Sequence, residues 1–258
     1  MNQSQNTCIR CLFDTYERWE SRGINAIKNP FAAQKGFYFM QKGTNIRMLN
    51  DIHWTKPADI EKESFQIIGD LLGERNFDPW QEPVMKRVIH TTADLEYADS
   101  LIFSEEAVQQ GIAALKKGFC VVTDTRMAEA GINKKVLTSF GGDVRCFMDN
   151  PDIAQRAKDL EVTRAALCMD KALTDPRCKI FAIGNAPTAL IRLCELIDEG
   201  KVQPELVIGV PVGFVNVVEA KELLKRKPVP FIIAMGRKGG SNVAAAIVNA
   251  LLYMAKNG

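Results

Sequence analysis

Histidine is scarce in this sequence: there are two, His53 and His90. An excess of charge of one sign is missing as well. The 33 basic and 31 acidic residues leave a formal net charge of +2, which supplies no bulk field for nucleic acid or an anionic membrane surface. No uninterrupted apolar run approaches the roughly 20 residues needed to span a bilayer. The opening residues Met1 to Asn6 lack the basic and then apolar regions of a secretory signal, so a cytoplasmic location is expected. Cysteine occurs seven times, at 8, 11, 120, 146, 168, 178 and 194. An odd count scattered through apolar runs such as Phe119-Cys120-Val121-Val122 favours buried, reduced thiols over a disulfide framework. Cys8-x-x-Cys11 is the tight pair. A structural zinc site would need two further ligands at a recognisable spacing, which neither His53 nor the later cysteines supply. A metal or redox role there stands against two cysteines on one amphipathic helix.

What is present suits a globular protein with ample material for a core: 258 residues, 47% hydrophobic and 25% charged. Residues 1–54 differ in character from the remainder of the chain. Cys8, Ile9, Leu12, Phe13, Tyr16 and Trp19 recur at helical spacing in a polar background, which predicts one amphipathic helix. Gly23, Pro30, Gly36 and Gly43 then break the chain into short pieces, of which Phe37 to Met40 is strand-like. With seven Lys/Arg against four Asp/Glu, this segment reads as an extension that covers part of the body, mediates assembly, or is loosely ordered. The body is expected over 55–258. It opens at Thr55-Lys56-Pro57-Ala58-Asp59-Ile60-Glu61, where acidic groups precede an apolar-periodic run through Phe65, Ile68 and Leu71, a helix start favoured by the helix dipole. Ser104-Glu105-Glu106 reads as a second helix start, closed by Gly118.

Beyond Gly118 short β-rich runs alternate with helical segments. The strands are expected at 119–124, 144–148, 180–184, 206–210 and 231–235, and the helices near 127–139, 151–173, 187–199, 215–226 and 241–255. Apolar strands without polar alternation, separated by helices, predict an α/β fold: a doubly wound parallel sheet of about five strands covered on both faces. The loops after the last three strands are chemically loaded: Gly184-Asn185-Ala186-Pro187-Thr188, Pro211-Val212-Gly213-Phe214 and Gly236-Arg237-Lys238-Gly239-Gly240-Ser241. Ligands of open parallel sheets bind at these carboxyl ends, where backbone N–H groups and helix N-termini converge. Glycine admits close approach, Arg237 and Lys238 supply charge, and Asn185, Thr188 and Ser241 supply short polar contacts. Each loop alone also reads as an ordinary strand end; their joint occurrence points to one anion-friendly crevice.

The nucleotide fingerprints are missing from that crevice. Gly236 to Ser241 is neither G-x-x-x-x-G-K-[ST] nor G-x-G-x-x-G, and it follows the last strand instead of the first. A ligand carrying several carboxylates fits the same donors. There is no G-x-S-x-G elbow and no histidine pair at metal-ligand spacing. Acid–base work therefore falls to His90 in Arg87-Val88-Ile89-His90-Thr91-Thr92-Ala93-Asp94, because histidine exchanges a proton near neutral pH without a large environmental shift. The competing reading makes Val88-Ile89-His90 the end of a short strand with a structural histidine.

Five blocks in order carry a more specific signal: Arg87 to Asp94, Thr163-Arg164-Ala165-Ala166, Gly184 to Leu190, Gly209-Val-Pro-Val-Gly-Phe-Val215, and Gly236 to Ser241. Together they resemble the precorrin-8X methylmutase family, also met as cobalt-precorrin-8 methylmutase, over about Lys56 to Leu252. The resemblance implies a flavodoxin-like fold, a homodimer, and migration of a methyl group from C11 to C12 of a tetrapyrrole macrocycle in cobalamin biosynthesis. The product would be hydrogenobyrinate or cobyrinate, and no cofactor is implied. It further implies that His90 protonates a ring nitrogen to promote a [1,5]-sigmatropic shift. Substrate contacts would fall on Ser64, on Arg164 toward a carboxylate, and on Asn185, Thr188, Gly213, Arg237 and Ser241. Read bare, Ser64 is an exposed helix serine and Arg164 a solvated charge. Two departures stand out: Ala165 where the family often has serine after that arginine, and Glu219-Ala220-Lys221 where it often has Glu-Ser-Lys. The alternatives are a non-catalytic tetrapyrrole or corrinoid carrier and an α/β enzyme that binds a phosphometabolite.

Overall fold

The computed structural model describes residues 55–57 and 59–258, so the readings made on residues 1–54, Cys8 and Cys11 among them, lie outside the described residues. Six strands form one sheet: β1 (Leu101–Phe103), β2 (Cys120–Thr123), β3 (Val144–Arg145), β4 (Cys178–Ile183), β5 (Leu206–Gly209) and β6 (Phe231–Ala234). Their spatial order is β1-β6-β5-β4-β2-β3, with β2 to β6 mutually parallel and β1 antiparallel on the β6 edge. The five parallel strands are those read from the sequence. β1 is an addition, three residues paired as Leu101 with Ala234, Ile102 with Ile233 and Phe103 with Ile232.

Side-chain alternation along these strands divides the core into two layers. Val121, Ile180, Ala182, Leu206, Ile208 and Ile232 point into one. Cys120, Val122, Phe181, Ile183, Val207 and Ile233 point into the other. Both faces are therefore buried, which is why the strands read as continuous apolar runs. The first layer is covered by α1 (Ile60–Leu72), α2 (Gln81–Thr92), α4 (Ala107–Lys116) and α11 (Ser241–Asn257), the second by α7 (Pro151–Asp159), α8 (Arg164–Ala172), α9 (Pro187–Asp198) and α10 (Val217–Lys225). Three shorter helices complete the order among the described residues: α3 (Tyr97–Ser100), α5 (Arg126–Gly131) and α6 (Lys134–Ser139).

Several boundaries differ from the sequence reading, each for a local reason. The helix expected over 127–139 is two, because Thr125 caps α5 and Asn133 caps α6 through side-chain oxygens. The helix expected over 151–173 is also two: Glu161 turns left-handed at φ 54°, and Thr163 starts α8 by accepting from the Ala166 N–H. Ser104 does not cap α4; its hydroxyl accepts the Phe231 N–H at 2.9 Å and secures β1 beside β6. The stretch around His90 is helical throughout. Val84, Met85, Val88 and Ile89 form a buried stripe whose packing on α1 and α11 outweighs the β-branched character of Val88, Ile89, Thr91 and Thr92.

With the parallel strands ordered β3-β2-β4-β5-β6, the direction of winding reverses between β2 and β4, and the crevice beyond their carboxyl ends is where such sheets take ligands. Gly184 closes the floor of this region. A Cβ there would lie 2.6 Å from the Gly240 carbonyl oxygen and 2.7 Å from Ser241 Cα, both backbone. Gly184→Ala is expected to cost about 1–3 kcal/mol through overpacking and to lower Tm by roughly 3–10 °C in thermal denaturation. An unchanged Tm would contradict the close packing of these two loops.

Candidate active site

His90 sits on the last turn of α2, half-buried, with its Nδ1 2.7 Å from Ser64 Oγ on α1. The Phe65 ring meets the imidazole edge-on, centroids 5.4 Å apart and planes at 88°. Arg87, one turn earlier on α2, stacks its guanidinium over Phe65 at 4.8 Å and over Tyr253 of α11 at 5.0 Å, and bonds Glu61 at 2.7 Å. The Arg87 hydrogen bond holds the Glu61 carboxyl below its ordinary range against the cost of partial burial, and the charges of Arg87 and His90 add to the effect. Ser64, Phe65 and Arg87 thus fix the ring from one side, and no hydrogen bond among the described residues engages Nε2.

The three loops at the strand ends lock together. Asp124, 1% exposed at the end of β2, accepts hydrogen bonds from three consecutive N–H groups: Gly184 at 3.0 Å, Asn185 at 2.8 Å and Ala186 at 2.6 Å. Burial pushes its carboxyl up while those N–H groups pull it down. The Gly240 N–H donates to Val210 O at 2.9 Å, and the Gly213 N–H donates to Arg237 O at 3.2 Å. Beneath the last loop Lys221, fully buried, donates from Nζ to Gly236 O and Lys238 O, each at 2.8 Å. Lys238 bridges outward to Asp94 at 2.6 Å and Glu96 at 2.7 Å, so the loop is joined to the chain just past α2.

The expected site residues divide accordingly. Ser64 and His90 are in direct contact. Ser241 is buried and its hydroxyl pairs with Thr125 Oγ1 at 2.7 Å. Thr188 pairs with Thr163 at 2.8 Å, which joins the starts of α8 and α9 beside exposed Arg164. Asn185 and Arg237 are exposed, with no side-chain hydrogen bond or ion pair among the described residues. Gly213 contributes backbone. No hydrogen bond or ion pair joins His90 directly to the loop residues; Lys238 and Asp94 make the link. The anion-cradle reading needs a correction. The N–H groups of Gly184 to Ala186 are taken up by Asp124, and Lys238 is neutralised by two carboxylates, which leaves Arg164 and Arg237 as the expected site residues whose positive side chains have no ion pair among the described residues. Both family departures are buried, Ala165 at 6% and Ala220 at 0% exposure.

Asp124, Lys221, Phe65 and Glu61 escaped the sequence reading. Lys221 had a signal: it falls on the inward stripe Val217, Ala220, Lys221, Leu224 of α10, where a lysine needs a partner. Asp124 had a weaker one, as the carboxylate ending an apolar strand. Other proton donors are committed elsewhere. Cys120, Cys146, Cys168, Cys178 and Cys194 are free thiols, and burial pushes Cys168, Cys178 and Cys194 up to about 12, so these carry no thiolate near neutral pH.

A family model described as precorrin-8X methylmutase matches residues 59–254. The chain belongs to the precorrin-8X methylmutase family. It is 45% identical over 203 residues to the cobalt-precorrin-8 methylmutase of Priestia megaterium, covering 79% of this chain and 90% of that one. It is 47% identical over 204 residues to the enzyme of the same name from Salmonella typhimurium, covering 77% and 95%. The solved precorrin-8x methyl mutase of Thermus thermophilus superposes with a TM-score of 0.71 at 40% identity, over 77% of this chain and 98% of that one. This methylmutase is therefore an isomerase of cobalamin biosynthesis, and among its described residues no helix is long and apolar enough to cross a membrane.

Burial of Lys221 lowers its ammonium from an ordinary 10.5 to about 8. Between those values the unfolded chain holds more protons than the folded one, so stability from this group rises with pH across that window. The shift corresponds to a few kcal/mol at most, on the order of 3. Comparing wild type with Lys221→Met, the difference in Tm should grow in favour of wild type as pH is raised from 7 to 10. A difference independent of pH would show that Lys221 titrates normally.

Proposed function

We propose that this methylmutase moves a methyl group from C11 to C12 of precorrin-8X or cobalt-precorrin-8, yielding hydrogenobyrinate or cobyrinate, with His90 as the proton donor. The observation that carries the assignment is the 2.7 Å contact between Ser64 Oγ and His90 Nδ1. When the imidazole is protonated, Nδ1–H donates to the serine oxygen and Nε2–H is directed away from α1, toward a ring nitrogen of the substrate. A proton placed there withdraws electron density from the conjugated system, the C11–methyl bond breaks as the C12–methyl bond forms, and the proton returns to His90. Product and substrate are isomers, so no co-reactant is consumed. Ser64 in this reading positions the imidazole as well as lining the site, and Glu61 sets a carboxylate in its electrostatic neighbourhood.

Arg164 and Arg237, the exposed guanidiniums, suit carboxylates of the macrocycle, and Asn185, Thr188, Gly213 and Ser241 shape the wall between them. A phosphate-binding role draws little from the loop after β4, since its N–H groups from Gly184 to Ala186 are spent on Asp124. The reading includes a cytoplasmic homodimer. An apolar stripe on α1, Ile60, Ile67 and Leu71 at 53%, 52% and 63% exposure, supports assembly.

A positioned general acid typically supplies about 10²–10⁴ in rate. His90→Ala is expected to lose that much in the visible-spectrum change that accompanies methyl migration, with corrinoid binding still measurable. Ser64→Ala, which frees the ring without removing it, should lose roughly tenfold. Full turnover by the His90 variant would overturn the role, and binding without single-turnover conversion by wild type would favour a carrier.

A further inference from the structure

We propose that Phe214 is a substrate-binding residue whose ring packs flat against the tetrapyrrole, with Arg237 beside it taking a peripheral carboxylate. The inference rests on the methylmutase reading and adds to it the group that holds the apolar face of the macrocycle.

Phe214 is 86% exposed, flanked by Val212 at 45% and Val215 at 76%, whereas Phe181 and Phe231 in the strands are 0% and 8% exposed. Three large apolar side chains within four residues, left in water, form a patch of the kind that marks a binding surface. The loop that carries them is held firmly. Val210 before it is fully buried, and Val217 after it is 1% exposed. Gly213 lies at φ +148° with its N–H on Arg237 O, and Asn216 adopts a left-handed φ of 56° just before α10. Left-handed backbone at a non-glycine residue costs free energy unless its surroundings enforce it. Here the enforced turn projects Phe214 outward, where a slack loop would let the ring fold onto the body.

Charge selects the occupant. The Gly213–Arg237 hydrogen bond joins the apolar loop to the backbone of Arg237, whose exposed guanidinium makes no ion pair among the described residues, while its neighbour Lys238 is saturated by Asp94 and Glu96. Met127, 70% exposed on the first turn of α5, is a further apolar side chain left in water beyond the end of β2. A flat apolar body edged with carboxylates needs this combination of bare aromatic face and free guanidinium. Because so little of Phe214 is buried, its removal costs the fold almost nothing, which separates binding from stability.

The test titrates cobyrinic acid into wild type, Phe214→Ala and Phe214→Tyr, with Tm and solution mass measured for each. Phe214→Ala should bind about tenfold to a hundredfold more weakly, with kcat within about threefold of wild type and unchanged Tm; Phe214→Tyr should bind like wild type. Equal affinity of wild type and Phe214→Ala would overturn the proposal and leave the methylmutase reading intact. Loss of binding that tracks a fall in solution mass would overturn it in favour of a contact between copies. Failure of wild type itself to bind or convert corrinoid would bring down the functional reading and this inference with it.

Discussion

The carboxylate of Asp124 is the contact on which the crevice depends. A buried charge is costly unless its lone pairs are matched by donors, and here three consecutive backbone N–H groups from Gly184 to Ala186 supply them. The same bonds join the ends of β2 and β4 at the point where the winding of the sheet reverses. Lys221 is its counterpart of opposite sign, satisfied by two carbonyls of the loop after β6. The two ions do not form a pair; each is balanced by a loop. As a result, loops that in many α/β proteins become ordered around a phosphate are ordered here by the protein's own charges, before any ligand arrives. In the proposed reading recognition passes from backbone to side chains, and those without a partner among the described residues are guanidiniums, an amide and exposed apolar groups.

The imidazole is placed by a different means. α2 is held between α1 and α11, and Arg87 stacks on rings from both while its charge meets Glu61. Ser64 and Phe65 then define one edge and one nitrogen of His90. The proposed site is therefore a helical pair carrying His90, set against a floor of strand-end loops. The two are joined by α11, which starts at Ser241 and packs on α2, and by Lys238, 45% exposed, with Asp94 and Glu96. Exposed ion pairs contribute roughly 0–1 kcal/mol each, so the buried packing of α2 on α11 carries most of this junction.

How much of this the sequence discloses depends on the range of each interaction. The five parallel strands were legible because both faces of the sheet are buried and each strand is a continuous apolar run. β1 was not, since three residues after a one-turn helix carry no periodicity and owe their pairing to β6. The strand-like composition of Val88 to Thr92 misleads in isolation; tertiary packing of the Val84, Met85, Val88, Ile89 stripe decides for helix. The chemically loaded loops were visible as residue types, but their state was not. Whether Gly184 to Ala186 offer free N–H groups depends on Asp124, sixty residues earlier. Ser64 and His90 are 26 residues apart on two helices, and local spacing cannot bring them together. The family resemblance supplied both residues, whereas the contact between them comes from the fold.

That contact also explains why one histidine suffices. Asp124 is saturated by backbone donors, Lys221 points into carbonyls, and Glu61 and Asp94 are tied to Arg87 and Lys238. The cysteines pushed up to about 12 by burial carry no thiolate near neutral pH. Each of these groups is held by a partner or by burial that the fold itself provides. His90 differs in that Ser64 engages Nδ1 and no hydrogen bond among the described residues engages Nε2. In the proposed mechanism such a site would place a proton on a bound macrocycle and take it back, which is what an isomerisation with no net proton uptake demands of its acid.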